Sequence, residues 1–386
     1  FSLLSQLITR SMSTQQSQIG QSLARLSVGI IAIVAVSSIL LVADRGARYR
    51  TDAPQPGRLP QVALVQHASI EPLDNGVKGI LDALAQRGYE PGRSMDLTSY
   101  NAQGDFATAN TIAKAVVGDD LDLIITSSTI SLQTVAAANR LRPVPKKHLF
   151  GIVTNPFDAG VGANREYPLQ HPPYLAGLGS NSPVRELFEL TLKLQPSLRT
   201  IGLVWNPAEA SSEASTLLAR EVVKDLGLEL LEGNAENSGG AGEVVKSLLS
   251  RGIDVLWLST DVTTTTAQAV MIKAATQAGI PVIASMPSAA DDGALIALGA
   301  SYYTVGFEQG QMAADILQGR DPATIPIINW TPAVLRLNLT ALDRMRQAWV
   351  IPPDVRARAE TIFDTNGVTH QDVPAPEAPK ALGWNR

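Results

Sequence analysis

The sequence predicts an α/β protein of two Rossmann-like lobes with parallel sheets and a hinge, preceded by one N-terminal transmembrane helix. Three observations predict the lobes. From Gln61 onward, short aliphatic runs alternate with stretches of helical period, the pattern of parallel α/β units. The pattern occurs twice: VALVQHASIEPLDNGVKGILDALAQRGYE, from Val62, aligns with IGLVWNPAEASSEASTLLAREVVKDLGLE, from Ile201, and DLIITSSTISLQTVAAANRL, from Asp122, aligns with DVLWLSTDVTTTTAQAVMIK, from Asp254. Finally, residues 279–319 hold two apolar runs, Pro281 to Ala284 and Ala294 to Leu298. Gly299-Ala300-Ser301-Tyr302-Tyr303 breaks the second, and a helix from about Thr304 to Leu317 follows. That stretch reads as a crossing from one sheet back to the other, with a hinge near Gly299–Tyr303.

The elements follow in chain order. Leu26 to Ala43, LSVGIIAIVAVSSILLVA, is an uncharged run of 18 residues, about the minimum for a membrane-spanning helix. Leu41 and Arg45 stand where cleavage after Ala43 or Ala47 would want small residues, which favours an uncleaved anchor. Residues 1–25 precede a span at 26–44, and residues 45–60, with Pro54, Pro56, Gly57 and Pro60, read as a tether. In the first lobe, strands are expected at 62–66, 95–100, 121–126 and 148–153, with helices at 73–87, 105–117 and 130–141. In the second, helices at 184–194, 209–226, 242–249 and 263–277 alternate with strands at 200–205, 228–231, 255–258 and 282–284. Lobe one is thus 61–177 plus 300–330, and lobe two 178–299 plus 331–363. Residues 364–386, rich in proline and poor in apolar groups, read as a flexible tail.

Composition narrows the chemistry. The net charge of −5, with no dense basic patch, argues against nucleic acid as a partner. A chain with no cysteine has no disulfide, thiolate nucleophile or cysteine–zinc site. The four histidines, His67, His148, His171 and His370, lack metal-ligand spacing, and no nucleophile elbow, P-loop or dinucleotide fingerprint is present. No cofactor, metal or catalytic residue is expected.

Ligands of open parallel sheets bind beyond the carboxyl ends of the strands, where helix N-termini present free N–H groups. The loops there supply the candidates: Gln66, His67, Ser69, Ser127, Ser128, Thr129 and Asn155 from lobe one, and Trp205, Asn206, Asp261 and Ser285 from lobe two, with Tyr302 at the crossing. Ser127, Ser128 and Thr129 suit helix capping alone or capping with ligand contact. Asp261 suits holding a ligand amine or capping a helix at Thr263. Trp205 suits stacking on a ligand or packing in its lobe.

On these residues the chain, from about Val62 to Phe363, resembles the substrate-binding proteins of ABC transporters of the type that includes tryptophan- and tyrosine-binding members. The marks are Gln66 with Leu73-Asp74, Thr129 with Gln133, Val153-Thr154-Asn155-Pro156, Trp205-Asn206-Pro207-Ala208-Glu209, Ser259-Thr260-Asp261, and above all GALIALGASYYTVGFEQGQMAADILQG. LNLTALDRMRQAWVIPPDVRARAETIF resembles the family's last helices. The resemblance implies a periplasmic binding protein type I-like fold: two lobes, joined by three crossing segments, that close on a small ligand by hinge motion. Two departures stand out. Ser69-Ile70-Glu71 replaces a frequent Glu-His-Pro, and Ser285-Met286-Pro287 a frequent Ser-Asp-Glu, so the acids expected to meet an α-amine do not carry over.

The expected function is therefore a membrane-anchored, extracytoplasmic solute-binding protein of an ABC-type uptake system, with a small-molecule ligand, an amino acid or small organic compound, in the interlobe cleft. The expected location is the inner (cytoplasmic) membrane, single-pass, with the C-terminal domain in the periplasm. An ABC permease or another integral membrane complex is the expected partner of the N-terminal helix. The alternative is a structural or sensory subunit that keeps the binding fold without transport.

Overall fold

The computed structural model describes residues 58–374, together with residues 34 and 36. Apart from residues 34 and 36, the expected transmembrane helix lies outside the described residues, as do the residues before it and nearly all of the tether. Among the described residues, no helix is long and apolar enough to cross a membrane.

Lobe one begins with β1 (Gln61–Gln66), α1 (Glu71–Gln86), β2 (Asp96–Asn101), α2 (Phe106–Gly118), β3 (Leu123–Ser127), α3 (Thr129–Asn139), β4 (His148–Val153) and β5 (Leu175–Gly179). Lobe two follows with α4 (Val184–Leu194), β6 (Thr200–Trp205), α5 (Ala210–Leu226), β7 (Glu229–Asn234), α6 (Ala241–Ser250), β8 (Val255–Leu258), α7 (Val262–Gln277), β9 (Val282–Ala284) and β10 (Ile296–Ala300). The chain then returns through α8 (Tyr302–Leu317) and β11 (Ile328–Asn329) to lobe one. It ends in lobe two with β12 (Ala333–Asn338), α9 (Pro353–Arg358), β13 (Thr361–Asp364) and β14 (Gly367–His370).

The first sheet has six parallel strands in the order β11-β5-β4-β3-β1-β2. Its central strands carry apolar residues on both faces because helices cover both. Leu64, Leu123, Ile125 and Leu149 pack against α1 and α8, and Val65, Ile124 and Val135 pack on the other side. The second sheet has eight strands in the order β14-β13-β12-β10-β9-β8-β6-β7. Trp257 of β8 is fully buried there, with Phe188 of α4 edge-on to it at 5.2 Å and Ser285 accepting its indole N–H at 3.0 Å.

Three crossings join the lobes, at residues 180–183, 301 and 330–332, between strands and helices of the two sheets. Their directions follow from the parallel rule. β5 and β10 end at the cleft, so each is followed by a helix that starts there and runs away from it. β11 also ends at the cleft, so the chain enters lobe two from that end and β12 can only run away from it. β12 is accordingly antiparallel to β10, and the hairpin of β13 and β14 adds a second antiparallel pair. The second sheet is thus mixed where a wholly parallel one was expected.

Three boundaries also differ. β5 pairs with β4 in the first sheet, so lobe one runs to Gly179 where a division at 177 was expected. The expected flexible tail from 364 starts as structure, with Asp364 and Gly367 closing the β13–β14 hairpin at the edge of the second sheet. The expected last helices prove to be a 3-10 turn at Leu339–Arg344 and the six-residue α9, set between strands. By contrast, residues 279–319 hold two strands of the second sheet followed by a helix of the first lobe, as the crossing demanded.

Candidate functional site

A cavity of about 40 Å³ lies where the lobes meet, and both lobes wall it. By the measure in which one water needs roughly 10–15 Å³, it takes about three. Its residues sit where helices begin. Ile70, Pro72 and Leu73 come from the start of α1, Ser128, Thr129 and Ile130 from the start of α3, Ser211 from α5, Val262 and Thr265 from α7, and Tyr302 from α8. Ile152, Thr154, Ser180, Thr260 and Met286 complete it from strand ends and the first crossing. The parallel topology causes this convergence, since most strands that point at the cleft hand over to a helix that starts there.

Two wall residues hold unusual backbone conformations. Ile152 has φ 55° within an irregularity in the β4–β5 pairing, and Ser128 has φ 147°. A β-branched residue rarely occupies positive φ, and such strain gathers at ligand sites. At Ile152 the distortion turns the side chain toward α1, where Gly76 leaves room for it: a Cβ on Gly76 would lie 1.8 Å from the Ile152 Cδ1. Leu73, Ile152, Ala300 and Val305 then form a small apolar cluster beneath the crossing, with Ile70 and Tyr302 on its flank.

Lobe two carries a buried carboxylate pair beside the cavity. Glu209 accepts the Val262 N–H at 2.8 Å, the Thr263 N–H at 3.1 Å and the Thr263 hydroxyl at 2.5 Å. Asp261 accepts the Thr264 N–H at 2.8 Å and the hydroxyls of Ser212 at 3.0 Å and Ser259 at 2.5 Å. Both carboxylates thus serve the first turn of α7. Burial, and then the charge of Glu209, push the Asp261 carboxyl up to about 6.

Of the twelve candidates, Ser128, Thr129 and Tyr302 line the cavity. Ser128 caps α3 through the Ser131 N–H at 3.1 Å, so it combines capping with a place in the wall. Burial raises the Tyr302 phenol, and the neighbouring Thr260 hydroxyl pairs with Ser182 across the first crossing at 3.0 Å. The other nine are placed elsewhere. Asp261 is fully buried as the cap of α7 and does not reach the cavity. Trp205 carries the Arg220 guanidinium over its ring at 5.6 Å, packs against the lobe-two core and stands outside the cavity wall. Ser285 serves Trp257 in the core. Asn206 donates to the Thr263 hydroxyl at 2.9 Å and braces Glu209. Gln66 donates to Asp74 at 2.6 Å and to the Ala68 carbonyl at 2.7 Å. His67 is buried in lobe one, with its imidazole pKa lowered by that burial. Ser127 is fully buried at the end of β3, Ser69 is exposed and accepts from Asn101, and Asn155 turns onto Asp158 and the Phe157 N–H.

The loops expected from the sequence border the cavity, several of them through neighbours of the residues named above. Thr154, Thr260 and Met286 sit beside Asn155, Asp261 and Ser285 and line the cavity in their place. Ile70, Leu73, Ile130 and Val262 were missed because aliphatic residues at helix starts read as core.

Two α/β lobes, three crossings and a shared cavity walled by helix starts define a periplasmic binding protein of the type I-like fold. The chain belongs to the ABC transporter substrate binding protein family, whose model matches residues 61–361. As a member it is a binding protein and not an enzyme. Among its relatives is a tyrosine-binding protein of Clostridioides difficile (strain R20291), 29% identical over 300 residues that make up 77% of this chain and 84% of the relative. Among solved structures, a conserved domain protein from Vibrio cholerae O1 biovar El Tor is 30% identical, with a TM-score of 0.73 over 79% of this chain and all of that one. A ligand-free, open substrate binding protein with adhesive properties from Clostridium difficile is 27% identical, with a TM-score of 0.58 over 75% of this chain and 96% of that one. A Streptococcus domain in complex with L-Trp shares the fold at 21% identity, with a TM-score of 0.72 over 79% of this chain and all of that one.

Proposed function

We propose that this chain is the membrane-anchored, extracytoplasmic receptor of an ABC-type uptake system, which takes an amino acid or small organic compound into the interlobe cavity and presents it to a permease. The observation that carries this reading is the cavity itself, walled by helix starts from both lobes at the crossings. With room for about three waters, it admits a larger ligand only when the lobes part, which makes hinge motion part of binding. The tyrosine-binding relative supports an amino acid as one ligand class. The uncharged run Leu26–Ala43 supports an uncleaved anchor in the inner (cytoplasmic) membrane, with the lobes on the periplasmic side.

Two measurements test the reading. A ligand at 100 times its dissociation constant stabilises its receptor by about 2.7 kcal/mol, so a thermal-shift panel of amino acids and small organic compounds should find at least one stabiliser. Extraction of the full chain in mild detergent should recover it from the membrane fraction, and protease added to spheroplasts should cut the lobes. A chain found in the soluble fraction would remove the anchor from this account. A structural or sensory subunit of a membrane complex is the second reading, favoured by the lack of any acidic residue in the cavity wall. It predicts a stable co-purifying complex and an empty ligand panel.

A further inference from the structure

Residues 140–147, RLRPVPKK, join α3 to β4 with four cations and no acid, in a chain whose net charge is −5. Asn139, buried at the end of α3, clamps this loop shut. Its amide donates to the Lys146 carbonyl at 2.8 Å, and its side-chain oxygen accepts the Lys146 N–H at 2.8 Å. The Arg142 N–H bonds the Asn139 carbonyl at 3.0 Å, and Pro143 and Pro145 fix their own φ. The loop is thus held in shape, yet Leu141 is 80% exposed and Val144 57%. Single exposed aliphatic side chains are ordinary; two on a clamped loop between cations make a surface suited to a partner that is both apolar and anionic. Lys146 faces Asp120 at 3.8 Å, while Arg140, Arg142 and Lys147 form no ion pair among the described residues.

The loop lies at the end of lobe one that faces away from the cleft. β1, β3 and β4 are parallel neighbours that start together there. The Asp122 N–H donates to the Gln61 carbonyl at 2.9 Å, and the Ile124 N–H to the Lys147 carbonyl at 2.9 Å. The preceding chain therefore enters lobe one, through Leu59 and Pro60, at the same end as the loop. That chain carries the uncharged run Leu26–Ala43, and residues 44–58 span at most about 50 Å when extended. On so short a lead, contact with the bilayer is an intramolecular event, for which weak attractions suffice.

We infer that loop 140–147 docks lobe one on an anionic lipid surface, with Arg140, Arg142 and Lys147 on the headgroups and Leu141 and Val144 in the boundary beneath them. Cations gain at an anionic leaflet within a Debye length, and aliphatic side chains gain just below it. Of the acids at this end, Asp120 faces Lys146 and Asp122 accepts the Gln61 N–H at 2.7 Å. The strands run from this end to the cleft, so a lobe resting on it turns the cleft away from the bilayer, toward free ligand. Such a contact is reversible, as presentation to a permease requires. The inference rests on the anchored-receptor reading above, which supplies the bilayer.

The test places the full chain in lipid nanodiscs, made of phosphatidylcholine alone or of phosphatidylcholine mixed equally with phosphatidylglycerol. The chain has no cysteine, so Val144→Cys takes an environment-sensitive fluorophore at one place, and Leu217→Cys, exposed on α5 of lobe two, serves as the reference. Emission from position 144 should shift to the blue in the mixed discs only and return in high salt, while position 217 stays unchanged. Combining Arg140→Gln, Arg142→Gln and Lys147→Gln, with folding verified by circular dichroism, should abolish the shift; the salt comparison makes the same point without a variant. Equal emission at position 144 in both kinds of disc overturns the inference and leaves the anchor standing. A blue shift that survives the loss of the cations, or of the anionic lipid, marks contact with protein and also overturns it. A chain that does not co-elute with the discs overturns the anchored reading, and this inference with it. Solute binding, read by thermal shift, is decided separately from either.

Discussion

Gly306 of α8 lies directly on Gly76 of α1: a Cβ at position 306 would stand 2.0 Å from the Gly76 carbonyl oxygen. The same interface has Gly79 against the Tyr303 carbonyl, at 2.2 Å from an added Cβ. The two helices therefore meet backbone to backbone, and this contact fixes the crossing helix to lobe one. It also positions Tyr302, one turn before Gly306, in the cavity wall.

Gly306→Ala should therefore destabilise the protein by about 1–3 kcal/mol or more, since the neighbour is backbone and cannot swing away. Gly118→Ala, at the end of α2 where an added Cβ meets nothing within 4 Å, is the control and should change stability by under about 0.5 kcal/mol. Urea unfolding of the two variants measures the difference. Equal midpoints would show that the helix pair has slack.

Trp205→Phe tests the place of Trp205 relative to the site. The Trp205 ring belongs to the lobe-two core with Arg220 across its face, outside the cavity wall. Its replacement should lower thermal stability while leaving the affinity of any ligand found in the thermal-shift panel within about twofold. Tyr302→Phe should do the reverse: it keeps the ring, removes a hydroxyl from the cavity wall, and should weaken ligand binding with little loss of stability. A Trp205→Phe variant with tenfold weaker binding would return Trp205 to the site.

The loops of the site were legible in the sequence, and the side chains were not. Both faces of these strands are buried, and only the residues just beyond a strand end meet the cleft, so a shift of one position separates a wall residue from a core residue. Ser127 is fully buried beside Ser128 in the wall, and Ser285 beside Met286. Small polar residues suggested contact, yet Ser285 and Asp261 satisfy buried partners of their own. Lobe and crossing were readable because aliphatic runs such as Leu123–Ser127 and Ile296–Ala300 have few alternatives once the repeat is seen. The strands β12 to β14 were not, because AVLRLN and GVTH are short and mixed, and only the direction of the third crossing makes β12 antiparallel.

The carboxylate pair predicts a pH slope of unusual sign. Asp261 titrates at about 6 in the folded protein, above the ordinary carboxyl value of 3.8 that applies when unfolded. Between those values the folded state holds the proton that the unfolded state has lost, so the Asp261 contribution falls as pH rises from about 4 to 6. Asp261→Asn keeps an acceptor for the Thr264 N–H and removes the titration. Denaturant titrations at pH 4.5 and 7.5 should show a more favourable change toward neutral pH in the variant than in the parent. Identical pH profiles would mean that the pair carries no strain.

His148 predicts the opposite slope in lobe one. Its imidazole is fully buried, bonds the Thr126 hydroxyl at 2.8 Å, and is pushed down to about 3 by burial. In the unfolded chain it takes a proton at about 6.5, so the folded state loses stability as pH falls from 6.5 toward 3. His148→Gln can still bond Thr126 and does not titrate. It should cost some stability at pH 7.5 through imperfect packing, and it should lose less than the parent between pH 6.5 and 4.5. Because Asp261 acts in the other lobe and with the other sign, the double variant separates the two: its acid profile should equal the sum of the single changes within about 0.5 kcal/mol, as sites without shared partners do. Denaturant midpoints of the four proteins at three pH values measure this. A non-additive result would show that protonation in one lobe is felt in the other through the crossings.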